Sequence, residues 1–311
     1  MQGMGHNVLE DGDDMMDVFA GQDQADHRSQ GRPYTIVKDE LYGRHMVASR
    51  NISAGTVIME DTPLTYGPLT TSTDLGSMCL GCYRRLSSGR VCRRCGWPVC
   101  GDQCSDQPQH RSRECQLFSE RGVRYEPGDS VSLSCISVIR ALMTRDQDPT
   151  TWSLIWGLMS HNEARRSKDY WVDKHTPIIK CIRETMGLTE FSEDDIDTVL
   201  GIFLVNDFEI NASLDDGEEW SSSGGNETMR GLYQIASIPN HDCRSNTVHQ
   251  FSSLNDGFRM IVKAARDIKK GEEITHSYVE AQEPLLVRQE LLNLGKFFHC
   301  RWQQISLDVK E

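Results

Sequence analysis

Asn240-His241-Asp242-Cys243-Arg244-Ser245-Asn246 is the most informative stretch of this chain. It brings two amides, an imidazole, a carboxylate and a thiol together directly after the apolar run 231–239. A strand pattern follows at 258–265, so these polar groups stand between segments that are predicted to be buried. Polar side chains held so close to apolar strands are costly unless they have partners or a function. The stretch is therefore the first candidate for a functional site.

A second polar stretch, Glu273-Ile274-Thr275-His276-Ser277-Tyr278, follows farther along the chain. The first stretch resembles the asparagine–histidine motif of SET-domain lysine methyltransferases, and the second resembles the strand that carries their catalytic tyrosine. The order of segments over residues 34–300 resembles one branch of that family, the SET-MYND proteins, and most closely its arthropod-type members. The resemblance implies an α+β fold, in which small β-sheets form a pseudoknot and carry an inserted MYND zinc finger and a helical insert.

The resemblance and the composition together divide the chain into segments. An acidic first stretch without apolar periodicity is predicted to be disordered, and an acidic Ser/Gly-rich stretch is predicted to be a mobile loop. The predicted boundaries are 1–31 for the disordered N-terminus, 32–68 for the N-terminal SET segment, 79–115 for the finger, 129–210 for the helical insert, 211–230 for the mobile loop, 231–279 for the catalytic SET core and 280–311 for a truncated post-SET tail.

Composition argues against several classes of protein. The formal net charge of −13 argues against nonspecific nucleic-acid binding by the whole chain. No apolar run approaches the roughly 20 residues that a membrane-spanning helix needs, and no signal-peptide pattern opens the chain. Seven of the eleven cysteines lie between Cys79 and Cys115 in pairs spaced like metal ligands, which indicates a reducing compartment. With the resemblance, this predicts a monomer of the nucleus and cytoplasm that binds no membrane.

Four pairs of metal-ligand residues lie in the predicted finger: Cys79 and Cys82, Cys92 and Cys95, Cys100 and Cys104, and His110 and Cys115. Eight ligands fit two tetrahedral Zn²⁺ sites, and so short a module needs metal to fold, at on the order of 10 kcal/mol per structural zinc. The alternative is reduced cysteine without metal. The MYND resemblance implies interleaved pairs, with Cys79, Cys82, Cys100 and Cys104 on one zinc and Cys92, Cys95, His110 and Cys115 on the other. Shells closed by four ligands are typical of structural zinc.

The predicted finger is also basic, with seven arginines against three acids between Cys79 and Cys115. A basic face can contact nucleic acid or an acidic partner, and the alternative is a solvated arginine-rich surface. The MYND resemblance implies another partner, a short proline-containing peptide. Trp97-Pro98 are candidates for part of the surface that would bind it.

The SET resemblance implies a set of site residues. The implied methyl donor is S-adenosylmethionine, and the implied acceptor is a lysine of a histone or another protein. Tyr278 is the implied catalytic residue, and a phenol suits that role because its pKa of about 10 keeps it neutral at pH 7. The implied donor-binding residues are Gly43, Arg44, Asn206, Asn240, His241 and Phe298, and Asn246 is implied to brace the crossing of the two motif segments. The alternatives are an ordinary loop histidine at 241, a strand-end tyrosine at 278 and a helix-capping asparagine at 206.

The chain departs from the family pattern near its last residues. Family members carry three further cysteines, which join the motif cysteine on a third zinc, whereas Phe298-His299-Cys300-Arg301-Trp302 contains one. Cys243 and Cys300 alone cannot complete a four-ligand shell, so we expect two zinc ions. We also expect a truncated or divergent form without the C-terminal helical domain of the family. These departures keep a second function open, a non-catalytic adaptor that binds transcriptional partners through its finger.

Local patterns predict the elements that frame these motifs. The segment 43–60 is predicted to form a β-hairpin that turns at 51–55, and the same arrangement recurs at 266–274. Two such hairpins at opposite ends of the chain indicate small sheets assembled from distant segments. Ser192 and Asp195 match an acidic variant of the helix-capping pattern, which predicts that a helix begins there.

Overall fold

The computed structural model describes residues 31–40, 43–70, 78–84, 86, 89–126, 130–210, 227–280 and 282–300. Its strands are β1 (Tyr34–Asp39), β2 (Gly43–Ala48), β3 (Val57–Asp61), β4 (Pro63–Thr70), β5 (Asp207–Ile210), β6 (Glu227–Tyr233), β7 (Asn240–His241), β8 (Thr247–Phe251), β9 (Met260–Ala264) and β10 (Glu273–His276). Its helices are α1 (Asp102–Ser105), α2 (Pro108–His110), α3 (Gln116–Arg121), α4 (Ser130–Gln147), α5 (Pro149–Trp156), α6 (Asn162–Arg166), α7 (Asp169–Lys180), α8 (Glu193–Asn206) and α9 (Leu285–Gly295).

Some predicted segments lie outside the described residues. These are residues 1–30 of the predicted disordered N-terminus, 211–226 of the predicted mobile loop and 301–311 of the predicted tail. None of the described helices is long and apolar enough to cross a bilayer.

The strands form three small sheets, with the orders β1-β2-β10-β7, β3-β9-β8 and β4-β6-β5. Each sheet combines strands from the first and last thirds of the chain. The pair β7 and β10 is parallel, and the other pairs among these strands are antiparallel. Small sheets with separate helices confirm the predicted α+β class, and they confirm that distant segments build each sheet.

Both predicted hairpins are wrong. Strand β2 pairs with β1 and β10, whereas β3 pairs with β9, so 43–60 does not fold back on itself. Instead, the two predicted turns pair with each other, because Ile52 and Ile268 each donate a backbone N–H to the other's carbonyl at 2.8 Å. Both isoleucines are buried. A glycine-turn pattern predicts a reversal of the chain but not which strand will be its partner.

The predicted mobile loop ends earlier than its boundary at 230, because β6 begins at Glu227. The segment is held there by pairing with β4 on one side and β5 on the other. Arg230 also finds a polar partner inside the protein, since its Nε and Nη2 atoms donate to Ser137 Oγ at 2.9 and 2.7 Å. These partners account for order in a segment whose composition is polar.

Helix α4 is the central element of the helical insert. It packs on β4 at Gly67, where an added Cβ would lie 2.9 Å from Ser137 Cα, so only glycine allows the contact. The predicted start of α8 is confirmed, because the Ser192 hydroxyl accepts from the Asp195 N–H and the Asp195 carboxylate accepts from the Ser192 N–H. This reciprocal pair satisfies two N–H groups that the helix itself leaves unpaired.

One buried arginine joins the finger to the rest of the fold. Arg140 of α4 is 2% exposed, and it donates to Glu114 Oε2 from Nε at 2.8 Å and to Glu114 Oε1 from Nη2 at 2.7 Å. Its Nη1 donates to Tyr83 Oη at 2.8 Å and to the Tyr66 carbonyl at 3.0 Å. Burial alone would raise the pKa of Glu114, but Arg140 and His110 together lower it to about 2. The carboxylate and the guanidinium therefore face each other as a charged pair.

The first prediction concerns this pair. Arg140→Met keeps much of the side-chain volume but leaves Glu114 as an uncompensated buried charge. We expect the free energy of unfolding to fall by about 3–5 kcal/mol. Denaturant titration at constant zinc concentration measures the loss. The matched control is Arg259→Met, which breaks an exposed 2.9 Å ion pair with Glu60 and should cost no more than about 1 kcal/mol. Equal losses in the two variants would contradict the role given to Arg140.

Candidate functional site

The metal-ligand residues of the finger gather into two groups, as the interleaved arrangement predicts. Within each group, all ligand atoms lie within 4.8 Å of one another. The groups are Cys79, Cys82, Cys100 and Cys104, and Cys92, Cys95, His110 and Cys115. Four thiolates, or three thiolates and one imidazole, match the chemistry of structural zinc. The residues therefore fit two zinc ions in the pairing that was predicted.

The geometry of His110 shows how its imidazole can serve as a metal ligand. His110 is fully buried, its Nε2 lies 3.6 Å from Cys95 Sγ, and its Nδ1 lies 3.1 Å from Glu114 Oε1. A proton on Nδ1 donated to the carboxylate leaves the Nε2 lone pair available to a metal. The backbone is kinked between His110 and Cys115, because Arg113 leaves the helical region with φ −117° and ψ −121°.

The candidates for a peptide-binding surface on the finger are not exposed. Trp97 is 0% exposed, and its ring stacks on Phe118 with centroids 4.5 Å apart. Its Nε1 donates to the Val123 carbonyl at 3.3 Å, and Pro98 is buried beside it. The prediction that Trp97-Pro98 contribute to a peptide surface is therefore wrong. Trp97 instead fixes the finger on the segment that follows it.

The two motif segments meet where β7 and β10 run side by side, with Asn240 opposite Thr275. Asn246 is 1% exposed, its Oδ1 accepts the Thr275 N–H at 2.9 Å, and its Nδ2 donates to the Glu273 carbonyl at 2.7 Å. Asn240 adds a side-chain bond from Nδ2 to Glu273 Oε1 at 3.0 Å. Asn246 therefore lies where the resemblance places a brace between the two segments.

Three of the predicted site residues form one aromatic cluster at this crossing. The His241 ring centroid lies 5.3 Å from that of Tyr278 and 5.8 Å from that of Phe298. The Tyr278 N–H donates to His241 Nδ1 at 3.0 Å, and the Tyr278 hydroxyl donates to the Pro239 carbonyl at 2.8 Å. Burial raises the pKa of Tyr278 and lowers the pKa of His241 to about 4. Both side chains are therefore neutral near pH 7.

Two other predicted site residues, Arg44 and Asn206, both contact the segment 157–161. The sequence did not identify this segment as part of the site. Arg44 Nη2 donates to the Gly157 carbonyl at 3.2 Å, and Asn206 Nδ2 donates to the Met159 carbonyl at 2.7 Å. The segment then reaches His161, which has a left-handed φ of 47°. Such a conformation is uncommon outside glycine and leaves no clear signal in a sequence.

His161, at the end of this segment, packs against the last residues that the structure describes. Its ring centroid lies 5.4 Å from that of Phe297, the neighbour of Phe298. Burial lowers the pKa of His161 and the ammonium of Lys296 lowers it further. Gly43 lies apart from this contact, at the exposed start of β2, with a left-handed φ of 64° that glycine adopts without strain.

A third cluster of possible ligands comprises His241, Cys243 and Cys300, all within 4.8 Å of one another. His241 Nε2 lies 3.2 Å from Cys243 Sγ, which lies 3.7 Å from Cys300 Sγ. Because His241 Nδ1 accepts the Tyr278 N–H, the proton of the neutral ring sits on Nε2 and is donated to the Cys243 sulfur. Metal binding at Nε2 would have to displace this proton, so the contacts shown favour a hydrogen bond between His241 and Cys243 over a third zinc site.

The second prediction is a zinc content of two per chain. Elemental analysis after exhaustive dialysis should give two for the parent chain and a lower value for Cys92→Ser, which loses a ligand. His241→Gln is the matched control, because it changes the third cluster alone and should leave two. A parent value near three, or the loss of one zinc in His241→Gln, would mean that the third cluster does bind metal.

Comparison with known proteins places this geometry in a family. The family model of the SET domain matches residues 43–279. The SET domain-containing protein SmydA-8, isoform A, of Drosophila melanogaster is 29% identical over 295 residues, which covers 92% of this chain and 58% of that protein. A SET and MYND domain-containing protein of Dictyostelium discoideum is 25% identical over 319 residues, covering 86% and 58%. N-lysine methyltransferase SMYD2-B of Danio rerio is 23% identical over 280 residues, covering 86% and 59%.

The chain thus spans a little over half the length of these relatives. Their names agree with the predicted SET-MYND resemblance, as do the two zinc-ligand groups inserted between β4 and α4. The family match runs from the start of β2 to just beyond Tyr278, and so includes both motif segments. On this match, which extends over most of its length, the chain belongs to the SET-domain family.

Proposed function

We propose that this chain is a protein-lysine methyltransferase that uses S-adenosylmethionine as methyl donor. The observation that carries the proposal is the cluster of His241, Tyr278 and Phe298 at the β7–β10 crossing. Asn240 lies on the same strand as His241, beside the parallel partner strand. A histidine, a neutral phenol and an aromatic ring brought together by segments distant in sequence support a binding and reaction site rather than a structural core.

The residue types around the crossing fit the chemistry of the donor. The guanidinium of Arg44 suits a carboxylate, the amides of Asn206 and Asn240 suit polar groups, and the ring of Phe298 suits an adenine. The carbonyls of Gly157 and Met159 accept hydrogen bonds from Arg44 and Asn206, so this segment holds both side chains in place near the crossing. When bound, S-adenosylmethionine supplies an electrophilic methyl group on a positively charged sulfur.

Tyr278 has the properties that methyl transfer to an amine requires of a neighbouring group. Its hydroxyl proton is donated to the Pro239 carbonyl, so the phenol oxygen keeps its lone pairs for accepting. Because burial raises the pKa of Tyr278, the phenol stays neutral and does not compete as a nucleophile. An oxygen dipole of this kind stabilises positive charge on the methyl group and on the acceptor nitrogen in the transition state. The protein lysine must reach the site as the neutral amine.

The competing function is an adaptor that does not catalyse methyl transfer. The observation that favours it is the cluster of His241, Cys243 and Cys300, which among the described residues offers three possible ligands rather than the four of a closed zinc shell. An adaptor would use the finger for partner binding, through exposed arginines such as Arg93 and Arg111. Those arginines fit an acidic partner or nucleic acid better than they fit an apolar peptide. The test below separates the two functions.

The third prediction concerns Tyr278. Tyr278→Phe removes one hydroxyl and little volume, so the fold and the affinity for S-adenosylmethionine should persist. Single-turnover methylation of a lysine-containing protein pool should slow by about 10²–10³, the effect expected for one group that stabilises the transition state. Tyr170→Phe, on an exposed face of α7, is the matched control and should behave as the parent.

His241→Ala completes this experiment. It should weaken donor binding first, measured by calorimetry, because it removes the ring between Tyr278 and Phe298. If the parent chain binds the donor but methylates nothing in the pool, the result contradicts the methyltransferase function and supports the adaptor function. Equal methylation rates for the parent and Tyr278→Phe would contradict the catalytic role proposed for the phenol.

A further inference from the structure

Lys296 brings an amine into the candidate site. It follows the last turn of α9, and its Nζ lies 5.8 Å from the centroid of the Tyr278 ring. The same atom donates to the carbonyls of Leu204 and Val205, at 3.1 and 2.8 Å. These two carbonyls belong to the last turn of α8, where they have no partners within the helix. The amine is thus held at a fixed place on the Tyr278 side of the site.

The surroundings of Lys296 are those of the proposed donor site. Val205, which accepts one of its hydrogen bonds, immediately precedes Asn206. His161 lies near enough to Lys296 for the two side chains to interact electrostatically. Phe298 follows two residues later and packs near Tyr278, with ring centroids 6.4 Å apart. Residues from four separate segments therefore place this lysine within the same group of side chains.

We propose that Lys296 is an acceptor of methyl transfer within its own chain, so that the site modifies one of the residues that line it. This inference rests on the proposed methyltransferase function. It goes further, because it names a particular lysine as a substrate and makes the reaction intramolecular.

The hydrogen bonds of Lys296 suit a nucleophilic amine. A neutral amine has two N–H bonds and one lone pair, and the two carbonyls of α8 accept both N–H bonds. The lone pair is then left for attack. Burial lowers the pKa of Lys296, which favours this neutral form, whereas the carboxylate of Asp207 opposes the shift. The Asp207 carboxylate also forms an ion pair with Arg230, in which Asp207 Oδ2 lies 3.7 Å from Arg230 Nη1.

The transfer step balances without a further reactant. The Nζ lone pair of Lys296 forms a bond to the donor's methyl carbon as the carbon–sulfur bond breaks, and that electron pair stays on sulfur as a neutral thioether. The nitrogen becomes a methylammonium that still has two N–H bonds for the carbonyls of Leu204 and Val205. It returns to the neutral secondary amine by releasing one proton to solvent.

A purely structural role for the same contacts leads to a different outcome. Lysine side chains near the end of a helix commonly donate to its last carbonyls and interact favourably with the helix dipole. If Lys296 is only such a cap, it stays unmodified however long the chain is incubated with donor. Modification of the residue therefore distinguishes the acceptor from the cap.

The experiment incubates the purified full chain with S-adenosylmethionine and no other protein, followed by peptide mass spectrometry. We expect one methyl group, 14 Da, to accumulate on the peptide that contains Lys296. The fraction labelled per unit time should not change when the protein concentration is varied tenfold. Lys296→Arg should lose this label. Lys174→Arg is the matched control, because Lys174 also faces a tyrosine ring, at 4.8 Å, but on exposed helix α7, and this variant should keep the label.

Each other outcome overturns the inference in a recognisable way. Unmodified Lys296 in a chain that binds donor and methylates the protein pool leaves the enzyme intact and removes the internal acceptor. A labelling rate that rises with protein concentration shows transfer between chains and contradicts the intramolecular step. A chain that neither binds donor nor methylates the pool refutes the proposed function, and this inference falls with it.

A measurement without donor tests the same residue independently. Selective ¹³C labelling of lysine Cε, with the Lys296 signal assigned by its absence in Lys296→Arg, reports the protonation of this amine by NMR. We expect Lys296 to titrate below the roughly 10.4 of a solvated lysine, because burial lowers its pKa. Titration at or above that value would show that the site does not favour the neutral amine, and a charged amine cannot attack the methyl group.

Discussion

The buried amide of Asn246 is the contact on which the assembly of the site depends. It accepts the Thr275 N–H and donates to the Glu273 carbonyl, so one side chain replaces two bonds of a strand ladder. This replacement matters because β7 is only two residues long and pairs with β10 over that length alone. Tyr278 follows β10, and His241 lies on β7, so their contact requires the two segments to stay in register. Leaving such buried partners unpaired costs about 1–3 kcal/mol each.

The finger is connected to this framework by a chain of polar contacts. His110, a ligand of the second zinc-ligand group, bonds to Glu114, and Glu114 bonds in turn to Arg140 of α4. Arg140 then donates to the Tyr66 carbonyl of β4. Strand β4 pairs with β6, which leads directly into the apolar run before the motif. The orientation of a metal ligand and the position of the sheet β4-β6-β5, whose strand β6 precedes the motif, are therefore joined through one buried ion pair.

Local features of the sequence predicted much of this structure, and long-range pairings were the main failure. The paired metal ligands and the α8 cap depend on residues with a fixed local spacing, which the sequence shows directly. The interleaved zinc-ligand groups and the two motif segments were predicted from the resemblance to SET-MYND proteins. The predicted hairpins failed because Ile52 pairs with Ile268, which no local pattern encodes. Trp97 was expected at the surface because a tryptophan–proline pair gives no measure of burial.

Three site features had no usable sequence signal. The segment that ends at His161 depends on a left-handed backbone, and Lys296 depends on the meeting of α8 with the residue after α9. The buried pair of Glu114 and Arg140 depends on the docking of the finger against α4. In each case the partner lies far away in sequence, and charge or polarity alone gave no reason to expect burial.

The measurement that tests the account most directly is the affinity of Asn246→Leu for S-adenosylmethionine, determined by calorimetry. Leucine has the branched shape of asparagine, with methyl groups in place of the amide oxygen and nitrogen, but it leaves the Thr275 N–H and the Glu273 carbonyl without the bonds they now have. Asn255→Leu, at an exposed turn, is the matched control, and a zinc content of two shows that the finger remains folded. The account predicts that Asn246→Leu loses at least about tenfold in affinity while Asn255→Leu matches the parent. Parent-like affinity in Asn246→Leu would contradict the claim that this amide holds the donor site together.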